Sequence, residues 1–146
     1  MAFRGQFEHS LDAKNRLSVP SRFRASFASG VVLAKALDPC VAVWTPAGFE
    51  RYTESFLPDL NPLSEKRRSL EQFFGSNSFD TELDSAGRIT LNSLLLGHAD
   101  IAKDTVVLGV FDHLEIWNRD TWRAREDALS GDIAGIAESV GSRTDH

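Results

Sequence analysis

Phe7-Glu8-His9-Ser10-Leu11-Asp12-Ala13-Lys14-Asn15-Arg16-Leu17-Ser18-Val19 returns as Phe79-Asp80-Thr81-Glu82-Leu83-Asp84-Ser85-Ala86-Gly87-Arg88-Ile89-Thr90-Leu91. In both copies an Asp and an Arg bracket three turn-forming residues, and alternating apolar positions flank them. Phe7, His9 and Leu11 alternate with Glu8, Ser10 and Asp12, and Leu17 and Val19 resume the period of two after the turn. Each copy therefore reads as a strand, a tight connection and a second strand. Asn15 and Gly87 occupy the same place in the two turns. These are the residue types that best tolerate positive φ, so the turn is expected to need a left-handed residue there.

The echo continues outward. Val31-Val32-Leu33 answers Val106-Val107-Leu108, Val43-Trp44 answers Ile116-Trp117, and Phe49 answers Trp122. Pro20-Ser21-Arg22-Phe23 predicts a short helical turn with proline at its first position. Residues 31–37 and 41–44 read as strands parted by Asp38-Pro39. Thr45 and Pro46 open a helix with Phe49, Tyr52, Thr53, Phe56 and Leu57 as its buried stripe, ended by Pro58. The segment 58–76 has no repeat partner. There Asn61-Pro62 is expected to cap a second helix that carries Leu63, Leu70, Phe73 and Phe74 on one side. Glu65-Lys66-Arg67-Arg68 reads as its solvated face, with a subunit or phosphate contact as the alternative. The second unit predicts strands at 79–84, 88–91, 105–110 and 113–117, a helical turn near 93–99, and a helix from about Asn118 with Trp122 inward. Leu129, Ile133, Ile136 and Val140 extend that helix's apolar stripe, interrupted by Gly131, Gly135 and Gly141; each glycine costs up to ~1 kcal/mol against alanine. A frayed or partner-stabilised end is the expectation.

At 146 residues the chain is one compact domain or two half-domains sharing a core. The units span 7–54 and 77–124, joined by a helical linker over 55–76 and followed by a C-terminal helix and tail over 125–146. No apolar run approaches the ~20 residues of a transmembrane helix, and the N-terminus lacks a signal peptide's apolar stretch. The single cysteine, Cys40, cannot form an internal bridge, which suits the cytoplasm, and its apolar neighbours read as packing rather than nucleophilic chemistry. Net charge is −5, which by itself argues against nucleic acid as a partner. Its distribution argues otherwise. Residues 1–24 carry Arg4, Lys14, Arg16, Arg22 and Arg24 against Glu8 and Asp12, a local +3, which leaves −8 on the remainder.

A single unit of about 45 residues is marginal alone and exposes sheet edges. Two can close on each other into one small barrel, pairing strands across a pseudo-twofold. The doubled Leu-Asp-x-x-x-Arg turn, Leu17-Ser18-Val19-Pro20, the Val-Val-Leu and Ile-Trp of the second half, Phe3-Arg4-Gly5 and Phe73-Phe74-Gly75 resemble the MraZ family of bacterial transcriptional regulators, over residues 3 to about 125. The resemblance implies an α+β, mostly β fold: a tandem AbrB-like, swapped-hairpin (double-split) β-barrel with flanking helices. It implies binding to short, G-rich direct repeats in double-stranded DNA upstream of the protein's own operon, at the head of the division and cell-wall gene cluster, generally as a repressor. It also implies a closed homo-oligomeric ring, and the first-turn arginine, here Arg16, as the DNA contact. Asn15 stands where that family usually has glycine, and Asn92 where a proline like Pro20 is expected.

The residues support a DNA-facing first turn independently, since a hairpin tip carries Lys14 and Arg16 toward phosphates or guanine edges, and arginine suits bidentate contact with guanine O6 and N7. The expected DNA-binding set is Arg16, Lys14, Asn15, Arg4, Arg22 and Arg24, with Arg88 a weaker member. Asp12, Asp84 and Gly87 are expected to hold the turns, the aspartates as intra-turn ion pairs. Asp80, Glu82 and Asp84 leave residues 79–91 at −2, a field that repels phosphate, so Arg88 is assigned mainly to structure or a subunit interface. Catalysis finds no support: the spacing of His9 and Asp12 on a strand puts them on opposite faces, His98 with Asp100 and His113 with Asp112 come with neither a nucleophile motif nor a glycine-rich phosphate loop, and no cluster has metal-ligand spacing. No cofactor, membrane or small-molecule substrate is expected, and the location is the cytoplasm, at the nucleoid. The alternative is an AbrB-like oligomer whose partner is another protein, such as a toxin or division factor.

Overall fold

The computed structural model describes residues 2–141. Eight strands, four α-helices and two 3-10 helices make up the described residues, a mixed α+β arrangement built mainly on antiparallel pairing. The strands are β1 (Phe3–Ser10), β2 (Arg16–Ser18), β3 (Val31–Lys35), β4 (Val41–Trp44), β5 (Ser78–Thr81), β6 (Arg88–Thr90), β7 (Asp104–Phe111) and β8 (Leu114–Asn118). The helices are α1 (Pro46–Glu54), α2 (Glu65–Ser76), α3 (Ser93–Ala99) and α4 (Arg119–Gly141), with 3-10 helices at Ser21–Phe27 and Leu57–Asp59.

Six strands form one sheet in the order β1-β7-β8-β4-β3-β5, and β2 and β6 pair separately as a two-stranded ribbon. Exchanging each strand for its copy in the other half reverses the six-strand order and leaves it unchanged. The long first strand of each half leaves its own half: β1 pairs with β7 and β5 pairs with β3. The sheet has two edges, β1 and β5, and no strand pairing joins them among the described residues.

Burial explains why some strands alternate and others do not. Val31–Ala34, Val41–Trp44 and Thr105–Leu108 are buried on both faces of the sheet, so they read as continuous apolar runs. One face contributes Phe3, Val31, Leu33, Val43, Val107 and Ile116 to a core closed by the ribbon's Leu17 and Ile89, by Phe23 and Phe27 of the first 3-10 helix, and by Leu95 and Ala99 of α3. The opposite face carries two aromatic caps that repeat the sequence echo. Trp44 meets Phe49 of α1 with centroids 6.2 Å apart, and Trp117 meets Trp122 of α4 at 5.3 Å.

Several expectations are corrected by local hydrogen bonding. The second helix is capped by Ser64, whose hydroxyl accepts from the Arg67 N–H; Asn61 instead forms a turn with Leu63, which is exposed rather than packed beside Phe74. The first helix ends at Glu54, ahead of Pro58, and Pro20 stands just before its 3-10 helix rather than inside it. Strand β5 stops at Thr81 and β3 at Lys35. Asn92 replaces the expected proline without loss, because its Oδ1 accepts from the Leu95 N–H and caps α3. Helix α4 runs unbroken from Arg119 through Gly131 and Gly135 to Gly141, across position 125, with Ile133, Ile136 and Val140 exposed. No helix among the described residues is long and apolar enough to cross a membrane.

Gly109 makes the β1–β7 pairing possible. A Cβ there would lie 2.3 Å from the Arg4 nitrogen and 2.5 Å from its Cα, and these are backbone atoms that cannot swing aside. Gly109→Ala should therefore reach or exceed the upper end of the ~1–3 kcal/mol typical of overpacking. A chemical-denaturation midpoint unchanged from wild type would show that β1 yields at this point.

Candidate nucleic-acid interface

The two Asp-x-x-x-Arg segments fold into nearly identical knots. The Asp12 N–H donates to the Arg16 carbonyl at 3.0 Å, and the Asn15 N–H returns to the Asp12 carbonyl at 3.0 Å. Asp12 Oδ1 accepts from the Lys14 and Arg16 amides at 2.9 Å each, and Oδ2 accepts from Arg16 Nε at 2.7 Å. Asp84 repeats the pattern with the Ala86 and Arg88 amides and with Arg88 Nε, all at 2.9 Å. Aspartate suits this place because one short carboxylate reaches two amides and a guanidinium at once. Asn15 (φ 58°) and Gly87 (φ 76°) both adopt the left-handed conformation. Gly87 has a further reason to lack a side chain, since a Cβ there would lie 2.3 Å from Arg24 Nε.

The knots are clasped to each other. Leu17 stands opposite Ile89, with Arg16 opposite Thr90 and Ser18 opposite Arg88. The left-handed residues complete the clasp: the Leu91 N–H donates to the Asn15 carbonyl at 2.9 Å, and the Val19 N–H to the Gly87 carbonyl at 3.0 Å. Because facing residues of a ribbon share a side, Arg16, Ser18, Arg88 and Thr90 lie on one face, while Leu17 and Ile89 fill the core, each 1% exposed. Both turn arginines thus stand side by side, and Arg88 Nη1 lies 3.8 Å from Asp12 Oδ2, across the pseudo-twofold.

The other expected DNA-binding residues divide by position. Lys14 is exposed at the first tip. Arg24 lies against Gly87 and donates through Nε to the Val19 carbonyl at 2.9 Å, which ties it beneath the second turn. The Arg22 guanidinium sits 5.5 Å from the Phe7 ring centroid. Arg4 lies near the start of β1, six residues and about 20 Å along the strand from its end at the turn. Within Glu65–Arg68, Arg67 donates to the Leu60 carbonyl and Arg68 to the Leu63 carbonyl. One residue near the first turn escapes sequence reading. Lys103 lies beside it because the Leu11 N–H donates to the Lys103 carbonyl at 2.9 Å. Its only clue was the repeat, which requires the first turn to neighbour whatever precedes β7.

The remaining candidate groups have structural partners. His98 Nε2 bonds the Ala36 and Asp38 carbonyls. The His113 ring stacks on Trp44 and bridges Asp112 and Glu115 at 2.7 and 2.9 Å. Burial alone would push its pKa down, but hydrogen bonds and charge from Glu115 and Asp112 outweigh it and hold it above the usual histidine value. Cys40 is fully buried, and burial followed by the neighbouring Glu115 charge pushes its thiol far up, leaving a poor nucleophile.

Both turn aspartates are held below the usual carboxylate range, first by the backbone hydrogen bond from Arg16 or Arg88 and then by the arginine side chain and the second amide. In this window the unfolded chain binds more protons than the folded one. The turns' contribution is therefore complete above the unfolded value of about 3.9 and is lost as pH falls through the lowered folded pKa. Asp12→Asn and Asp84→Asn should each lower the melting temperature at neutral pH, with curves that converge on wild type in strong acid. Parallel curves down to pH 2 would remove the charge from this account.

The chain matches the sequence model of the family described as "MraZ protein, putative antitoxin-like" over residues 2–72 and 74–135. It is 38% identical over 142 residues to "Transcriptional regulator MraZ" of Alkaliphilus metalliredigens, covering 95% of this chain and 99% of that protein. Proteins of the same name from Natranaerobius thermophilus and Mycoplasmoides gallisepticum are 34% and 33% identical over 138 residues, each covering 94% of this chain and 96% of the relative. The doubled aspartate turn and its clasp thus belong to a regulator, not an enzyme: the chain is a member of the MraZ family of transcriptional regulators.

Proposed function

We propose that the chain is a sequence-specific DNA-binding repressor that recognises tandem, short, G-rich repeats upstream of its own operon in the division and cell-wall gene cluster. The observation that carries the reading is the clasped ribbon, whose outer face presents Arg16 on a turn that Asp12 fixes through two backbone amides and the Arg16 Nε. A two-stranded ribbon is narrow enough to enter the major groove, and a guanidinium pinned through Nε keeps both Nη donors for guanine O6 and N7. That pairing discriminates by roughly 1–3 kcal/mol, too little alone for a promoter. The proposed assembly is a closed ring of protomers, each an AbrB-like swapped-hairpin barrel of units 7–54 and 77–124, engaging several repeats at high effective concentration. The palindromic strand order and the pairing of β1 and β5 with the opposite halves support the swapped-hairpin part of this reading. The proposed location is the cytoplasm, at the nucleoid. A second reading, an oligomeric module whose partner is a protein, draws on the exposed Ile133, Ile136 and Val140 of α4.

Gel shifts on DNA from upstream of the gene separate the two. Arg16→Ala should abolish the shift while leaving assembly intact, and unchanged binding would move the reading surface elsewhere. Arg88→Ala, which removes the guanidinium from Asp84 and from beside Asp12, should cost melting temperature or assembly more than affinity; the reverse ranking would make it a primary reader. Reducing an array to one repeat should cost far more than a single contact is worth, so equal affinity for one repeat would sink the multivalent reading. A complex indifferent to salt would favour the protein-partner reading.

A further inference from the structure

The pseudo-twofold makes the surroundings of the two turns directly comparable, and they differ in charge. Each turn borders the loop that precedes a hairpin strand of the opposite half. Beside the first turn that loop is Ala102-Lys103, and it lines a shallow depression with Leu11, Asp12, Ala13 and Asn15. Beside the second turn the equivalent loop is Ala28-Ser29-Gly30, and its depression includes Asp80 and Glu82 and no cation. The symmetry-related position of Lys103 is Ser29, and that of Lys14 is Ala86.

The anions near Lys103 are already engaged. Asp104 Oδ1 accepts from the Ser10 hydroxyl at 3.0 Å. Asp12 has its Oδ1 on two amides and its Oδ2 against Arg16, with Arg88 3.8 Å away. Among the described residues neither Lys14 nor Lys103 has an acidic side chain within ion-pair distance, and both are exposed. The first turn therefore carries two uncommitted ammonium groups, one from the tip and one from a loop 89 residues further along the chain. Lysine behaves as a compact point charge that seeks phosphate without demanding a fixed geometry.

Resting on the DNA-binding reading above, we propose that Lys103 is a phosphate contact of the DNA interface, working with Lys14 to clamp the sugar-phosphate backbone beside Arg16. Asp80 and Glu82, in the depression beside Ala28-Ser29-Gly30, repel phosphate. The clamp gives each protomer a polarity on the duplex: one side of the ribbon is anchored to a strand and the other is held off it. A direct, non-palindromic repeat is the type of site such a one-sided reader fits. Lys103 positions and anchors, while Arg16 reads.

The test is a salt series of gel shifts on the upstream repeat array, with wild type, Lys103→Ala, Lys103→Arg, Lys14→Ala, Arg16→Ala and, as a remote exposed lysine, Lys66→Ala. Neutralising one phosphate contributes a slope of about 0.9 in log affinity against log salt. Lys103→Ala should therefore flatten the slope by about 0.9 per engaged protomer, as should Lys14→Ala, with equal loss on specific and scrambled DNA. Lys103→Arg should keep the wild-type slope, Lys66→Ala should match wild type, and melting should be unchanged in the lysine variants, since Lys14 and Lys103 make their structural bonds through the backbone. If wild type binds, Arg16→Ala abolishes binding and Lys103→Ala keeps the full slope, the phosphate clamp is wrong and the DNA-binding reading stands. If wild type itself shows no salt-dependent binding, both fall together.

Discussion

Everything at the proposed interface depends on one carboxylate geometry. In each turn a single aspartate accepts two backbone amides on one oxygen and a guanidinium Nε on the other. Exposed ion pairs of ordinary geometry are worth only ~0.2–1 kcal/mol, and these aspartates are not buried enough to escape that limit. Their importance lies in direction. Fixing the backbone of residues 12–16 and 84–88 aims the left-handed carbonyls of Asn15 and Gly87 at the opposite strand, where the Leu91 and Val19 amides meet them. A turn with a different shape would leave those amides unpaired above a buried core, at a cost of ~1–3 kcal/mol each.

The clasp also settles why an acidic protein can bring positive charge to one place. Net charge governs solubility and long-range association, whereas contact depends on the local field. Arg16, Arg88, Lys14 and Lys103 converge on the ribbon from three different stretches of chain. The ionised Asp12 and Asp84 offset part of this positive charge, while the exposed Lys14 and Lys103 have no acidic side chain within ion-pair distance among the described residues. The resulting surface is modest in charge and precise in direction.

The repeat is symmetric in backbone and asymmetric in side chains. Trp44 with Phe49 and Trp117 with Trp122 show how closely packing follows the copy, as do Asn15 and Gly87, which turn left-handed at the same place in the two aspartate turns. Divergence is concentrated where no packing constraint applies, at the tips and the bordering loops: Lys14 against Ala86, Lys103 against Ser29. Duplication of this type keeps the core and frees one turn for a different task. Asn92 illustrates the same tolerance, since a side-chain cap replaces the rigidity of a proline at no visible cost to α3.

Whatever is held by contacts within four or five residues was legible in the sequence. The turn ion pairs, the left-handed Asn15 and Gly87, the Thr45 cap and the alternating and continuous strands all follow from side-chain reach and strand periodicity. Local reading erred where two caps competed, at Asn61 and Ser64, and where an apolar residue such as Leu63 had no strand or helix near enough to cover it. Charge in the sequence separated the jobs of the two turns but placed them apart. Only the tertiary structure could bring Arg88 within 3.8 Å of Asp12, tie Arg24 beneath Gly87, move Arg4 to the far end of β1 and set Lys103 beside Asn15. Those placements follow from which half each strand pairs with. Strand pairing is decided by burying Leu17, Ile89 and both faces of the sheet in a common arrangement, a choice made by the whole chain that no short segment encodes.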